Sequence, residues 1–263
     1  MKDIAVCVSN HDQNVTVYET IDVISSVGFK NVFMQWYENP NYEDKKAELE
    51  YAIKKGLNVI FVHLDYRHIN AIWENNDFGE EITQYYINCI NDLNNFGIKL
   101  LVMHLVGGDN PPKPNIIGLN RLIKICDYAK SKNIKIAFEN TKSKGYQEYV
   151  IENIKSDNVG ICYDSGHVHC HFNDEYDFEK FKDRVFCIHI HDNYGINDDH
   201  LIPFDGNLDF NWALSGLKTT NYNEYMTLEL CYRNDYLNMN LVDYYKKAYE
   251  VALRLKNMYE EEK

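Results

Sequence analysis

Short β-branched and aromatic runs alternate along the chain with longer stretches whose apolar residues recur at helical spacing. Runs at 4–8, 31–34, 59–63, 99–104, 135–139, 160–164, 185–191 and 224–229 predict eight strands. Amphipathic segments at 15–27, 44–55, 80–96, 119–132 and 146–155 predict helices, with weaker ones at 177–182 and 212–217 and a long last one at 241–258. Gly28, Gly56 and Gly97 each follow a helical run and precede a strand, as C-cap glycines do. Such alternation requires parallel βαβ units, and eight of them predict a closed (β/α)8 barrel occupying residues 1–263 as one domain. An open doubly wound sheet is the alternative, but no G-x-G-x-x-G follows the first strand.

The chemistry is positional. The predicted strands three to six end in His63, His104, Glu139 and Asp164, strand seven in His189-Ile190-His191-Asp192, and strand eight in Glu229. The C-terminal ends of barrel strands converge on one mouth, where this architecture places its active sites. A single strand-end histidine is more often a hydrogen-bonded core residue than a ligand. Six consecutive strands ending this way are not explained one residue at a time. Carboxylates and imidazoles crowded into one cavity repel and desolvate one another unless a cation compensates them, so bound metal is expected.

Composition narrows the picture. A net charge of −13 gives no electrostatic footprint for nucleic acid, although a locally basic cleft would be compatible with it. The seven cysteines are scattered and never form C-x-x-C, which points away from a disulfide framework or thiolate zinc site and toward a cytoplasmic setting. The N-terminus has no signal-peptide pattern, and no apolar run is long enough to span a membrane. Self-association into a homo-oligomer is left open.

Several runs resemble the xylose isomerase-like barrel superfamily, which includes sugar and sugar-phosphate isomerases and epimerases, inosose dehydratases and the family 2 AP endonucleases. They are Ile136-Ala137-Phe138-Glu139-Asn140, Asp164-Ser165-Gly166-His167, and His189-Ile190-His191-Asp192-Asn193. Asp198-Asp199-His200, Pro203, Asp205-Gly206-Asn207-Leu208-Asp209 and Thr227-Leu228-Glu229 complete the pattern. The resemblance implies a metal site of Glu139, Asp164, His189 and Glu229, with His167 at the substrate. The endonuclease branch implies further ligands at His63, His104, His167, Asp198 and His200, enough for a two- or three-ion site. His191 stands where that branch often has Asn, and the arginine that epimerases carry soon after H-x-x-D is absent.

Two chemistries follow. In the first, a divalent ion (Mn, Zn, Co or Mg) polarises the carbonyl of a sugar or polyol-ketone and stabilises the enediolate formed by proton transfer. Glu139 and Glu229 act as acid and base and His167 orients a substrate oxygen, while His63, His104 and His191 contact the substrate. Trp36, Trp73 and Phe204 are expected to supply apolar walls. In the second, two or three zinc ions assist phosphodiester hydrolysis, as in an AP endonuclease. The thin spread of basic residues favours the sugar isomerase or epimerase, and a barrel that only binds its ligand is a third class.

Overall fold

The computed structural model describes residues 1–9, 15–37, 42–233 and 236–261. Strands β1 (Asp3–Val8), β2 (Asn31–Trp36), β3 (Asn58–Leu64) and β4 (Leu100–Met103) alternate with helices α1 (Val17–Val27), α2 (Tyr42–Lys54) and α3 (Asp77–Asn95). Then come α4 (Ile116–Ser131), β5 (Lys135–Glu139), α5 (Tyr146–Asn153), β6 (Val159–Asp164), α6 (Ser165–Phe172), β7 (Val185–His189), α7 (Phe210–Lys218), β8 (Tyr225–Leu228) and α8 (Leu241–Glu260). The strands pair in parallel in the order β7-β6-β5-β4-β3-β2-β1-β8, giving a nearly closed (β/α)8 barrel. The last seam is stitched just beyond β7. The Ile190 amide donates to the Thr227 carbonyl at 2.9 Å, and the Ile190 carbonyl accepts from Glu229 at 3.1 Å. Closure therefore falls beside the residues expected to carry the chemistry.

Strand periodicity builds the interior in two layers. Cys7, Phe33, Phe61, Val102, Ala137, Cys162 and Cys187, one from each of β1–β7, form an apolar plug inside the barrel. Side chains two positions further on point the same way. Those positions are Ser9, Gln35, His63, His104, Glu139, Asp164 and His189, so the polar mouth is the layer directly above the plug. The larger core packs the outward strand faces against the helices.

Local signals set the helix ends. Thr16 and Glu19 form a reciprocal capping box at α1, and Asn76, Asn115, Asp209 and Asn240 cap α3, α4, α7 and α8. Gly28, Gly56 and Gly97 have φ of 114°, 81° and 77°, the left-handed conformation that ends a helix cheaply only at glycine. One expectation changes: the helix after β6 is not at 177–182, where only a 3-10 turn (Glu179–Phe181) forms, but starts at Ser165. Asp164 is its N-cap, accepting the His167 amide at 2.6 Å, so D-x-x-H is the first turn of a helix despite Gly166. No described helix is long and apolar enough to cross a membrane.

Candidate functional site

Glu139 is the hub of the mouth. Its side chain is 1% exposed, with Oε2 at 2.9 Å from His63 Nε2 and 3.0 Å from His104 Nε2. Its other oxygen lies 2.7 Å from His189 Nδ1. The same His189 nitrogen is 3.2 Å from Glu229 Oε2 and 3.8 Å from Asp164 Oδ2, so carboxylates from β5, β6 and the end of β8 converge on one imidazole of β7. Phe33 stacks on that ring at 4.8 Å and fixes its plane. Asn140 locks the neighbouring strand ends: its amide donates to the Asp164 carbonyl at 2.9 Å, and its oxygen accepts the Asp164 amide at 2.8 Å.

A second hub, Asp198, lies on the loop between β7 and α7. One of its oxygens is 3.2 Å from His167 Nε2 and 3.0 Å from His200 Nε2. The other is buried with no hydrogen-bond partner among the described residues and sits 3.6 Å from His191 Nε2. The loop owes its shape to Asp192, whose buried carboxylate accepts the amides of Asn193, Phe204, Gly206 and Leu208 at 2.8–3.0 Å. Gly206 has to be glycine, because a Cβ there would lie 2.4 Å from Asp192 Oδ1 and from the Asn193 carbonyl.

All nine expected ligands meet in this mouth. Ligand atoms of Glu139, Asp164, His189 and Glu229 lie within 4.8 Å of one another, as do those of His63, His104 and Glu139, and those of His167, His191, Asp198 and His200. His191 differs from expectation. It is fully buried behind Asp164, with Nε2 3.1 Å from its nearer oxygen, stacks on His200 at 4.1 Å, and does not line the cavity. Its Nε2 lies between Asp164, at 3.1 Å, and Asp198, at 3.6 Å. Gly166 makes room for it, since a Cβ at 166 would lie 1.9 Å from the His191 ring.

Above the hubs opens a cavity of about 430 Å³, whose lining includes His63, His104, His167, His200, Glu139 and Glu229. The expected tryptophan walls are not there. Trp36 and Trp73 are buried in the helix–sheet core, with the Trp73 indole N–H donating to Leu105, and Phe204 packs under the Arg254 guanidinium. Strand parity accounts for Trp36, because Gln35 points inward and its neighbour must point out. The apolar wall comes instead from Tyr37, Tyr66, Val106 and Leu230, with Tyr66 stacked on His104 at 4.2 Å. Tyr37 shares the parity of Gln35, a signal available from sequence; Tyr66 lies in an irregular loop and had none.

The electrostatics pair lowered carboxylates with raised imidazoles. Burial alone would raise the Glu139 carboxyl, but His189, His104 and His63 hold it well below the usual carboxylate range. Glu229 and Asp198 are likewise lowered against burial, Glu229 by His189 and Asp198 by His200 and His167. Burial disfavours charge on His189, yet Glu229 and Glu139 raise it well above an ordinary histidine. Asp164 and Asp198 do the same for His167, and Asp198 for His200. Burial pulls His104 down despite Glu139. Imidazolium protons therefore compensate carboxylates that a divalent cation would compensate instead, and carboxylate-plus-imidazole sets suit such ions. Asp198 Oδ1, His189 Nε2 and His191 Nδ1 have no partner among the described residues, whose hydrogen bonds therefore do not saturate this donor set.

Comparison with known proteins gives the context. Residues 21–255 match the family model described as xylose isomerase-like TIM barrel. Protein y4fM of Sinorhizobium fredii is 35% identical over 134 residues, 48% of this chain and 42% of that one. An inosose isomerase of Bacillus licheniformis is 26% identical over 154 residues, 52% of this chain and 54% of that one. A probable endonuclease 4 of Mycoplasma capricolum is 31% identical over 102 residues, 31% of this chain and 35% of that one. The chain thus spans about half or less of the length of these relatives. Among solved structures, the IolI protein with a bound zinc atom superposes with a TM-score of 0.76 at 17% identity, covering 98% of this chain and 99% of that one. A D-tagatose 3-epimerase-like protein gives 0.76 at 21% identity, covering 100% and 99%. At these identities the structural likeness speaks for the fold.

Proposed function

The chain belongs to the xylose isomerase-like TIM-barrel family, and we propose that within it the protein is a divalent-metal-dependent isomerase or epimerase of a sugar or sugar phosphate. The observation that carries this reading is the pair Glu139 and Glu229, which arrive from β5 and the end of β8 and approach the same His189 nitrogen at 2.7 and 3.2 Å. Two carboxylates on separated strands can serve opposite faces of one substrate carbon, one removing a proton and the other returning it. Glu139, Asp164, His189 and Glu229 would hold the ion, which when bound supplies Lewis-acid polarisation of a carbonyl and charge compensation. Tyr37 and Tyr66 shield the reacting carbon from water, and His167, raised toward the protonated form, donates to a substrate oxygen. The inosose isomerase relative supports this chemistry.

A second reading is favoured by one observation: His63, His104, Asp198 and His200 are assembled too, although a one-ion isomerase has no need of them as ligands. Together with the endonuclease relative, they fit metal-assisted phosphoester hydrolysis at two or three zinc ions. Elemental analysis of protein purified without added metal or chelator separates the two, read on wild type, Glu139→Ala and His104→Ala. One ion per chain, lost in Glu139→Ala and kept in His104→Ala, is the expected result. Two or three zinc ions, some lost in His104→Ala, would transfer the assignment to hydrolysis. No ion after reconstitution would end both readings.

A further inference from the structure

Two cations other than histidine face the cavity, Lys142 and Arg233. Lys142 is neutralised by an ion pair with Asp109, and Arg67, the other arginine close behind a strand end, is bound to Asp65 and lies off the cavity. Arg233 forms no ion pair among the described residues. Its one hydrogen bond there runs from Nη2 to the Asp198 carbonyl at 2.9 Å, so Nε and Nη1 of the guanidinium fork have no acceptor among the described residues. The chain on either side of the contact is knitted: the Cys231 amide donates to the His200 carbonyl at 3.2 Å, and His200 Nδ1 lies 3.1 Å from the Glu229 carbonyl. Arg233 is thereby held half-buried at the cavity edge, above the loop-borne hub, and that loop has no arginine or lysine of its own between Asp192 and Leu217.

We propose that Arg233 binds the phosphate monoester of a phosphorylated sugar, so that the substrate class is a sugar phosphate rather than a free sugar. This deepens the isomerase reading and rests on it. A planar guanidinium can give two parallel N–H···O bonds to tetrahedral phosphate oxygens, and its charge then finds a counter-ion that the described residues do not supply. The cavity, at about 430 Å³, is in the range that small ligands occupy. Tyr37, Tyr66 and Arg233 all line it, so the cavity offers both an apolar surface and a charged group.

The test is calorimetric titration of the zinc-loaded full chain with ribitol 5-phosphate and with ribitol, which differ only in the phosphate and cannot react. The expected result is that wild type prefers the phosphorylated polyol by about tenfold or more. Arg233→Met should bring that preference close to unity with ribitol affinity unchanged, and Arg233→Lys, which keeps the charge and loses the fork, should fall between. Arg67→Met should leave the preference as in wild type. Equal affinity of wild type for the two polyols, or a full preference surviving in Arg233→Met, would overturn the assignment while leaving the isomerase reading intact. If Arg233→Met disturbs the loop and loses metal, Arg233→Lys decides, and an undiminished preference there overturns it as well. Failure of the zinc-loaded wild type to bind either polyol would instead bring down the isomerase reading and this inference with it.

Discussion

Glu139 and Asp198 are hubs of two clusters of similar composition, yet one hub is carried by strands and the other by a loop. Around Glu139 the hydrogen-bond partners His63, His104 and His189 sit at or next to strand ends, the carboxylate is 1% exposed, and Phe33 and Asn140 fix its neighbours. Around Asp198, 32% of the side chain is exposed and its position depends on four amides gathered by Asp192. The strand-borne half inherits its geometry from the barrel. The loop-borne half has to be built separately, by a buried carboxylate and a glycine. A family that changes its chemistry on a fixed barrel would do so most cheaply in the second half, since loops tolerate change that strands do not.

The comparison breaks most visibly at Asp192. Asp192→Ala leaves four buried or half-buried amides without their acceptor, each such loss costing about 1–3 kcal/mol, so a destabilisation of at least about 3 kcal/mol is expected. Metal analysis should show the Glu139 cluster still loaded, and any ion held by Asp198 bound about 10- to 100-fold more weakly, as when an outer partner of a metal site is removed. Equal loss from both clusters would mean that the loop supports the strand-borne half too.

The same division governs what could be read in the sequence. The barrel and the ligands of β3 to β8 were legible because a parallel strand puts every second residue inside: each of His63, His104, Glu139, Asp164, His189 and Glu229 lies two positions beyond an inward residue. Asp198 and His200 carry no such period and were reached only through resemblance. His191 was expected at the substrate, yet it lies beyond the end of β7 and is buried behind Asp164. Helix α6 was missed because Gly166 lowers helix propensity, and the cap at Asp164 together with room for His191 outweighs that. Arg233 lies four residues beyond Glu229, but its hydrogen bonding required the structure.

A smaller effect sharpens the comparison from the strand side. Gly166→Ala puts a methyl 1.9 Å from the His191 ring, and either the helix or the ring must shift. Overpacking of this kind costs about 1–3 kcal/mol, so the thermal midpoint should fall by several degrees. The perturbation reaches both hubs, because His191 touches Asp164 and faces Asp198. Gly206→Ala, by contrast, should disturb the loop-borne cluster alone. Identical metal-loading defects in the two variants would contradict the division.

The smallest effect distinguishes the halves by their protons. In the metal-free protein His189, His167 and His200 are raised, so their contribution to stability is complete below the ordinary histidine value, about 6.5, and is lost as pH rises through the folded values. Glu139, Glu229 and Asp198 are lowered, so theirs is complete above the ordinary carboxylate value, about 4, and is lost as pH falls through the folded values. Metal-free protein should therefore be most stable in mildly acid solution, and a cation that replaces imidazolium protons should bind more tightly as pH rises. Each proton released contributes about 1.4 kcal/mol per pH unit. Titrations in buffers of different ionisation enthalpy count those protons directly. Asp198→Asn removes the charge that raises His200 and contributes to raising His167, so its metal-free form should hold fewer protons and release fewer on loading. Protons taken up by His189 answer to Glu229 and Glu139 and should be released undiminished. If Asp198→Asn released as many protons as wild type, the two hubs would be one electrostatic unit, and the distinction between strand-borne and loop-borne halves would hold for geometry but not for charge.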